Sequence, residues 1–145
     1  MANNAALSAI PPAGTVIHIR DFLGIGHTPK NKFAYVIGST NDGGLLFFLI
    51  SKQDYSKTEL ARETVFIPPG TCPSLRDPQG CWIQCFHKVE YWSASDFLAA
   101  LENGRVTWEG ALARGFLIQV RTVVEKSNVL MEREITECLS VIGNP

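Results

Sequence analysis

FAYVIGSTNDGGLLFFLIS, residues 33–51, sets two runs of aromatic, β-branched and leucine side chains on either side of a turn. Residues 33–37 and 45–51 are dense in strand-favouring types. Between them Asn41-Asp42-Gly43-Gly44 supplies the left-handed backbone positions that a tight hairpin needs. The second run reads as a buried strand running back from the turn. A β-hairpin follows.

Working outward from that hairpin, residues 15–20 alternate, with Val16, His18 and Arg20 on one face and Ile17 and Ile19 on the other, as a first strand requires. Residues 21–31, carrying Gly24, Gly26 and Pro29, read as a loop joining the first two strands. Residues 52–62 are polar, with room for one helical turn, and residues 64–67 form a short strand ended by Pro68-Pro69-Gly70. A proline-punctuated loop then runs to Gly80, and residues 81–91 read as one further strand. Ser93 with Asp96 marks the start of a short helix that stops at Asn103-Gly104. Beyond Trp108, Leu112, Phe116, Val120 and Val124 recur every fourth position, one face of a helix running to about Lys126. Ser127 or Asn128 caps a last helix whose docking stripe is Met131, Ile135, Cys138, Leu139 and Ile142. The expected fold is mainly β with C-terminal helices, an α+β domain over residues 14–145 built on an antiparallel barrel or roll, preceded by a loose tail, residues 1–13.

The 46% hydrophobic and 19% charged composition of the 145 residues is globular, and the longest apolar run, Leu45 to Ile50, is far short of the roughly 20 residues that cross a bilayer. No membrane association is expected. Residues 1–13 lack the basic region and apolar core of a signal peptide, which makes the cytoplasm the expected location and the four cysteines (Cys72, Cys81, Cys85, Cys138) reduced. The formal charge of −1 excludes whole-chain basicity, but the balance is uneven. From Arg20 to Arg62 six basic residues face four acidic ones, a net of +2, and the remainder carries seven basic and ten acidic, a net of −3. That asymmetry points to an anionic ligand near the N-terminal strands.

The chemistry-bearing groups narrow the field. Cys81, Cys85 and His87 would share a strand face, but residues four apart on a strand lie about 13 Å apart, too far to hold one ion. No metal site and no cofactor are expected. Gly24-Ile25-Gly26 lacks the third glycine of a nucleotide fingerprint. The same loop carries His27, Thr28, Lys30 and Lys32, a set able to hold a phosphate and pass a proton. Tyr35, Phe47, Tyr55, Trp92 and Trp108 would stack bases if exposed, although strand spacing favours burial for Tyr35 and Phe47.

Gly14-Thr15-Val16, the basic segment Lys30-Asn31-Lys32-Phe33-Ala34-Tyr35-Val36-Ile37, the buried strand ending Leu49-Ile50-Ser51, the later Pro-Gly turn, the strand with Trp82 and the closing helix after residues 127–130 together resemble the MazF/PemK/Kid family of toxin endoribonucleases. The resemblance runs from Gly14 to Ile142. It implies an SH3-like barrel that forms a homodimer, binds single-stranded RNA, and cleaves it without metal through attack of a ribose 2′-hydroxyl on the neighbouring phosphate. It also implies an acidic antitoxin peptide as partner. The family's arginine falls on Lys32 and its threonine on Ser51, so a cation and a hydroxyl are kept while the planar guanidinium fork is not. With His27 as proton source, Lys32, Ser51 and His27 form the expected catalytic set. Lys30, Thr28, Lys52 and Arg20 are the expected phosphate-binding residues. The alternative is a binding module on the same fold, for protein or nucleic acid, with the catalytic pair lost.

Overall fold

In the computed structural model, which describes residues 10–23, 28–86 and 89–145, the expected hairpin is formed by β2 (Pro29–Ser39) and β3 (Leu45–Ser51). Its turn is held by the Thr40 hydroxyl, which accepts the Gly44 N–H at 3.0 Å, and by Asp42, whose carboxylate accepts the Tyr91 hydroxyl at 2.9 Å. The first strand, β1 (Thr15–Leu23), pairs antiparallel with β2 and reaches three residues past its expected end. The register shifts between Ile19 and Phe22, where Asp21 is left-handed (φ 54°). Such a bulge takes carbonyls out of the ladder. The Arg105 guanidinium supplies the missing donors, reaching the Arg20 and Asp21 carbonyls at 3.0 Å each.

The chain continues through a 3-10 turn (Glu59–Glu63), β4 (Thr64–Ile67), β5 (Cys81–Gln84), β6 (Glu90–Trp92), α1 (Ala94–Glu102), β7 (Val106–Ala111), α2 (Arg114–Glu125) and α3 (Glu132–Ile142). Among the described residues, seven antiparallel strands form one sheet in the order β4-β5-β3-β2-β1-β7, with β6 beside β3 as well. Alternation along the strands makes two cores. Val16, Tyr35, Phe48 and Ile50 lie in one, closed by Leu117, Val120 and Val124 of α2 and Cys138 and Ile142 of α3. Ile17, Ile19, Ala34, Val36 and Phe47 lie in the other, closed by Phe97 and Ala100 of α1. A central strand covered on both faces must be apolar on both, which is why β3 shows no polar side.

The structure bears out the α+β class with helices mostly C-terminal. It does not show the barrel: among the described residues the pairing path has β4 at one end and β7 at the other, so the sheet is open. It is nonetheless strongly bent. Phe22 pairs opposite Lys30 and Phe47 opposite Val36, positions about 20 Å apart along a straight strand. Their rings lie only 6.5 Å apart, so the β1–β2 end curls over the α1 side.

Three elements depart from the sequence expectation. The single strand expected at residues 81–91 is two, because Cys85 turns away, its N–H donating to the Glu63 carbonyl at 3.0 Å, and β5 and β6 pair with different parts of β3. Strand β7 was not expected; it exists by pairing with β1, more than 80 residues earlier. Met131 is exposed rather than docked, standing at the N-cap of α3, where Glu134 accepts its N–H at 3.2 Å. Ser127 does not cap that helix. It donates to Glu63, a fully buried carboxylate, at 2.6 Å and so ties the α2–α3 link to the start of β4. Ile10 packs on the α1-side core and Pro11 is buried, both within the segment expected as a tail; residues 1–9 lie outside the described residues.

Candidate functional site

Antiparallel pairing brings the end of β1, the start of β2 and the end of β3 to one end of the sheet. Arg20, Lys30, Lys32, Ser51 and Lys52 are therefore neighbours there, although they span 33 positions of sequence. Ile19 pairs with Lys32 and Phe22 with Lys30. The last aligned step between β2 and β3 is Phe33 opposite Ile50, and Lys32 and Ser51 are the next residue on each strand. Both fall on the α1 side, since Ala34 and Leu49, two residues away on each strand, pack into that core. Adjacent strands lie about 4.8 Å apart, so a cation and a hydroxyl leave the sheet side by side.

Lys32 and Ser51 are half-buried, while Arg20, Thr28, Lys30 and Lys52 are exposed. Among the described residues the one ion pair joins Arg121 to Glu125 at 3.1 Å, so the four cations of this end have no carboxylate partner there. The Ser51 oxygen accepts the Gln53 N–H at 3.0 Å. A hydroxyl that accepts in this way keeps its own proton for donation. His27 lies outside the described residues.

Pairing extends the row across the sheet. Ser51 stands opposite Trp82 of β5, and Trp82 opposite Phe66 of β4. Lys32, Ser51, Trp82 and Phe66 thus form one transverse line on one face. The two rings lie 5.0 Å apart at 46°. Against them opens a cleft of about 670 Å³ lined by Asp54, Ser56, Ala61, Thr64, Phe66, Gln79 and Trp82. Lys32 and Ser51 stand beside this cleft and are not part of its wall. Hydrogen bonds from the Ser56 side chain and N–H hold the Asp54 carboxyl below the usual carboxylate range, so it is charged at neutral pH.

The sequence reading missed Phe66, Trp82, Asp54 and Arg105 as site residues. Arg105 fixes the Arg20–Asp21 bulge from 84 residues away, and no local pattern carries that. The aromatic pair was open to view only through the alternation of β4. Of the five aromatics weighed as base platforms, Tyr35, Phe47 and Tyr55 are buried, Trp92 is partly buried in the α1-side core, and Trp108 is exposed on the β7 edge. The four cysteines are free and buried. Among the described residues no three metal-ligating side chains cluster, and His87 lies outside them. Nor is any of the described helices long and apolar enough to cross a membrane.

Fold and site together define an α+β protein with a bent antiparallel sheet, whose one end presents cations without a carboxylate partner among the described residues, a hydroxyl and an aromatic cleft. No protein-family model matches the chain, and no curated protein matches it in sequence.

Proposed function

We propose that this chain is a divergent protein of the MazF/PemK/Kid kind, in which the bent sheet is an SH3-like barrel acting in the cytoplasm on single-stranded RNA. The observation that carries the reading is the placement of Lys32 and Ser51 on the same face, one step beyond the aligned Phe33–Ile50 pair. In metal-independent cleavage a ribose 2′-hydroxyl attacks the adjacent phosphorus as its proton passes to solvent water, the P–O5′ bond breaks, and a 2′,3′-cyclic phosphate and a 5′-hydroxyl form. Lys32 offsets the charge growing on the non-bridging oxygens and the Ser51 hydroxyl donates to one of them. His27 supplies the proton for the leaving 5′-oxygen. Arg20, Thr28, Lys30 and Lys52 hold flanking phosphates. A lysine grips phosphate as a point charge and loses the bidentate fork of an arginine, so turnover is slow and Lys32→Arg raises it. A homodimer and an acidic antitoxin peptide laid over the basic end complete the proposal.

The test is incubation with a labelled single-stranded RNA pool in the presence of EDTA, comparing the parent with Lys32→Ala, Ser51→Ala and His27→Ala. Cleavage by the parent, reduced about a hundredfold or more in each of the first two variants, is the expected result. An uncut pool that nonetheless binds favours the second reading, a binding module. That reading is supported by the position of the cleft, which lies beside Lys32 and Ser51 rather than around them.

A further inference from the structure

We infer that the cleft against Trp82 and Phe66 is a base-recognition subsite that takes a guanine of single-stranded RNA; the inference rests on the RNA reading above. From Ser51, Trp82 is one strand step away, about 5 Å, and Phe66 at the cleft mouth is two, roughly 10 Å, so a phosphate held at Lys32 and Ser51 leaves the base of a neighbouring nucleotide within reach of the two rings. Phe66 is 43% exposed, a large apolar ring left open on an edge strand, yet it is packed on two sides. It tilts on Trp82 on one side. On another it lies over Gly80, where an added Cβ would stand 2.6 Å from the ring. A packed, half-open ring at a cleft mouth is what an unstacked base packs against.

The polar lining chooses the base. Asp54 accepts both the Ser56 N–H, at 2.8 Å, and the Ser56 hydroxyl, which leaves about two of a carboxylate's four acceptor positions for further donors. Guanine presents two donors side by side, N1–H and N2–H, which a carboxylate takes together, and its O6 acceptor suits the Gln79 amide. Uracil presents one N–H between two carbonyls, and those carbonyls would face the charge of Asp54.

The experiment uses a Trp92→Phe/Trp108→Phe protein, in which Trp82 is the sole indole, titrated with guanosine and uridine 5′-monophosphates, which share their phosphate and differ in base. The expected result is quenching of Trp82 at about tenfold lower concentration of the guanine nucleotide, with the preference erased by Phe66→Ala and by Asp54→Asn. Calorimetric titration of the unsubstituted protein reads the same preference without any change to the core. Equal response to both nucleotides, or response to neither, overturns the subsite. The nuclease reading fails separately: a guanine preference without RNA cleavage leaves the subsite standing, whereas cleavage whose rate and site choice survive Phe66→Ala and Asp54→Asn removes the subsite and leaves the nuclease.

Discussion

Tyr35 is fully buried, and among the described residues its hydroxyl has no hydrogen-bond partner. An unmet buried hydroxyl costs about 1–3 kcal/mol, so Tyr35→Phe should raise stability by about 1 kcal/mol or more, read as a higher urea midpoint with an unchanged slope. A lower midpoint would mean that the hydroxyl is satisfied in solution. The same core buries all four thiols, and Cys85 and Cys138 are fully enclosed. Burial pushes the Cys85 thiol far above its ordinary 9.0, and burial with Glu137 and Glu134 nearby pushes Cys138 up to about 12. Below pH 9 both folded and unfolded chains hold these protons. As pH rises from 9 toward 12 the unfolded chain releases protons that the fold retains, so stability falls by about 1.4 kcal/mol per pH unit per thiol. Urea unfolding at pH 8 and pH 10 measures this, and Cys85→Ala/Cys138→Ala should flatten the slope. At this scale the sequence was readable where strand parity decides burial, as for Tyr35 and Phe47. It was silent on Glu63, whose burial depends on Ser127 arriving from 64 positions away.

Among the elements, α3 owes its seat to a single missing side chain. A Cβ on Gly38 would stand 2.5 Å from the Val141 Cγ1, and Gly38 has φ 149°, so α3 rests directly on the backbone of β2. Gly38→Ala should cost about 1–3 kcal/mol through strain and displacement of the helix. Hydrogen exchange should then speed up in α3 before it does in β2, and equal protection in parent and variant would refute the close approach. The hairpin of β2 and β3, strand β4 and helix α1 were legible because turn, cap and proline signals are local; Ser93 does accept the Asp96 N–H at 3.1 Å. The split of β5 from β6, and strand β7, were not legible because both are decided by which part of a distant strand they pair with. Phe116 and Leu117 show the limit of helical counting: the fourth-position rule chose Phe116, which is partly buried, while Leu117 is the one buried in the core.

For the molecule as a whole, the formal charge of −1 says little about the face that matters. The antiparallel return of the chain gathers Arg20, Lys30, Lys32 and Lys52 at one end, so the +2 balance of that stretch becomes a local field while the acidic surplus lies mostly elsewhere. The sequence showed that surplus of charge, and Lys32 and Ser51 as a pair, but their convergence with Trp82 and Phe66 needed the register of four strands. If these four cations neutralise RNA phosphates, each releases bound counterions from the single strand, and the affinity must fall with salt at a slope of about −0.7 per contact. Three to four contacts give a log–log slope of about −2 to −3 between 50 and 300 mM salt. Lys30→Ala and Lys52→Ala should each reduce it by about 0.7 while leaving the base preference untouched, because neither lines the cleft. Phe66→Ala should do the reverse, weakening binding at every salt concentration with no change of slope. A slope near zero in the parent would place the RNA, if it binds, away from the basic end.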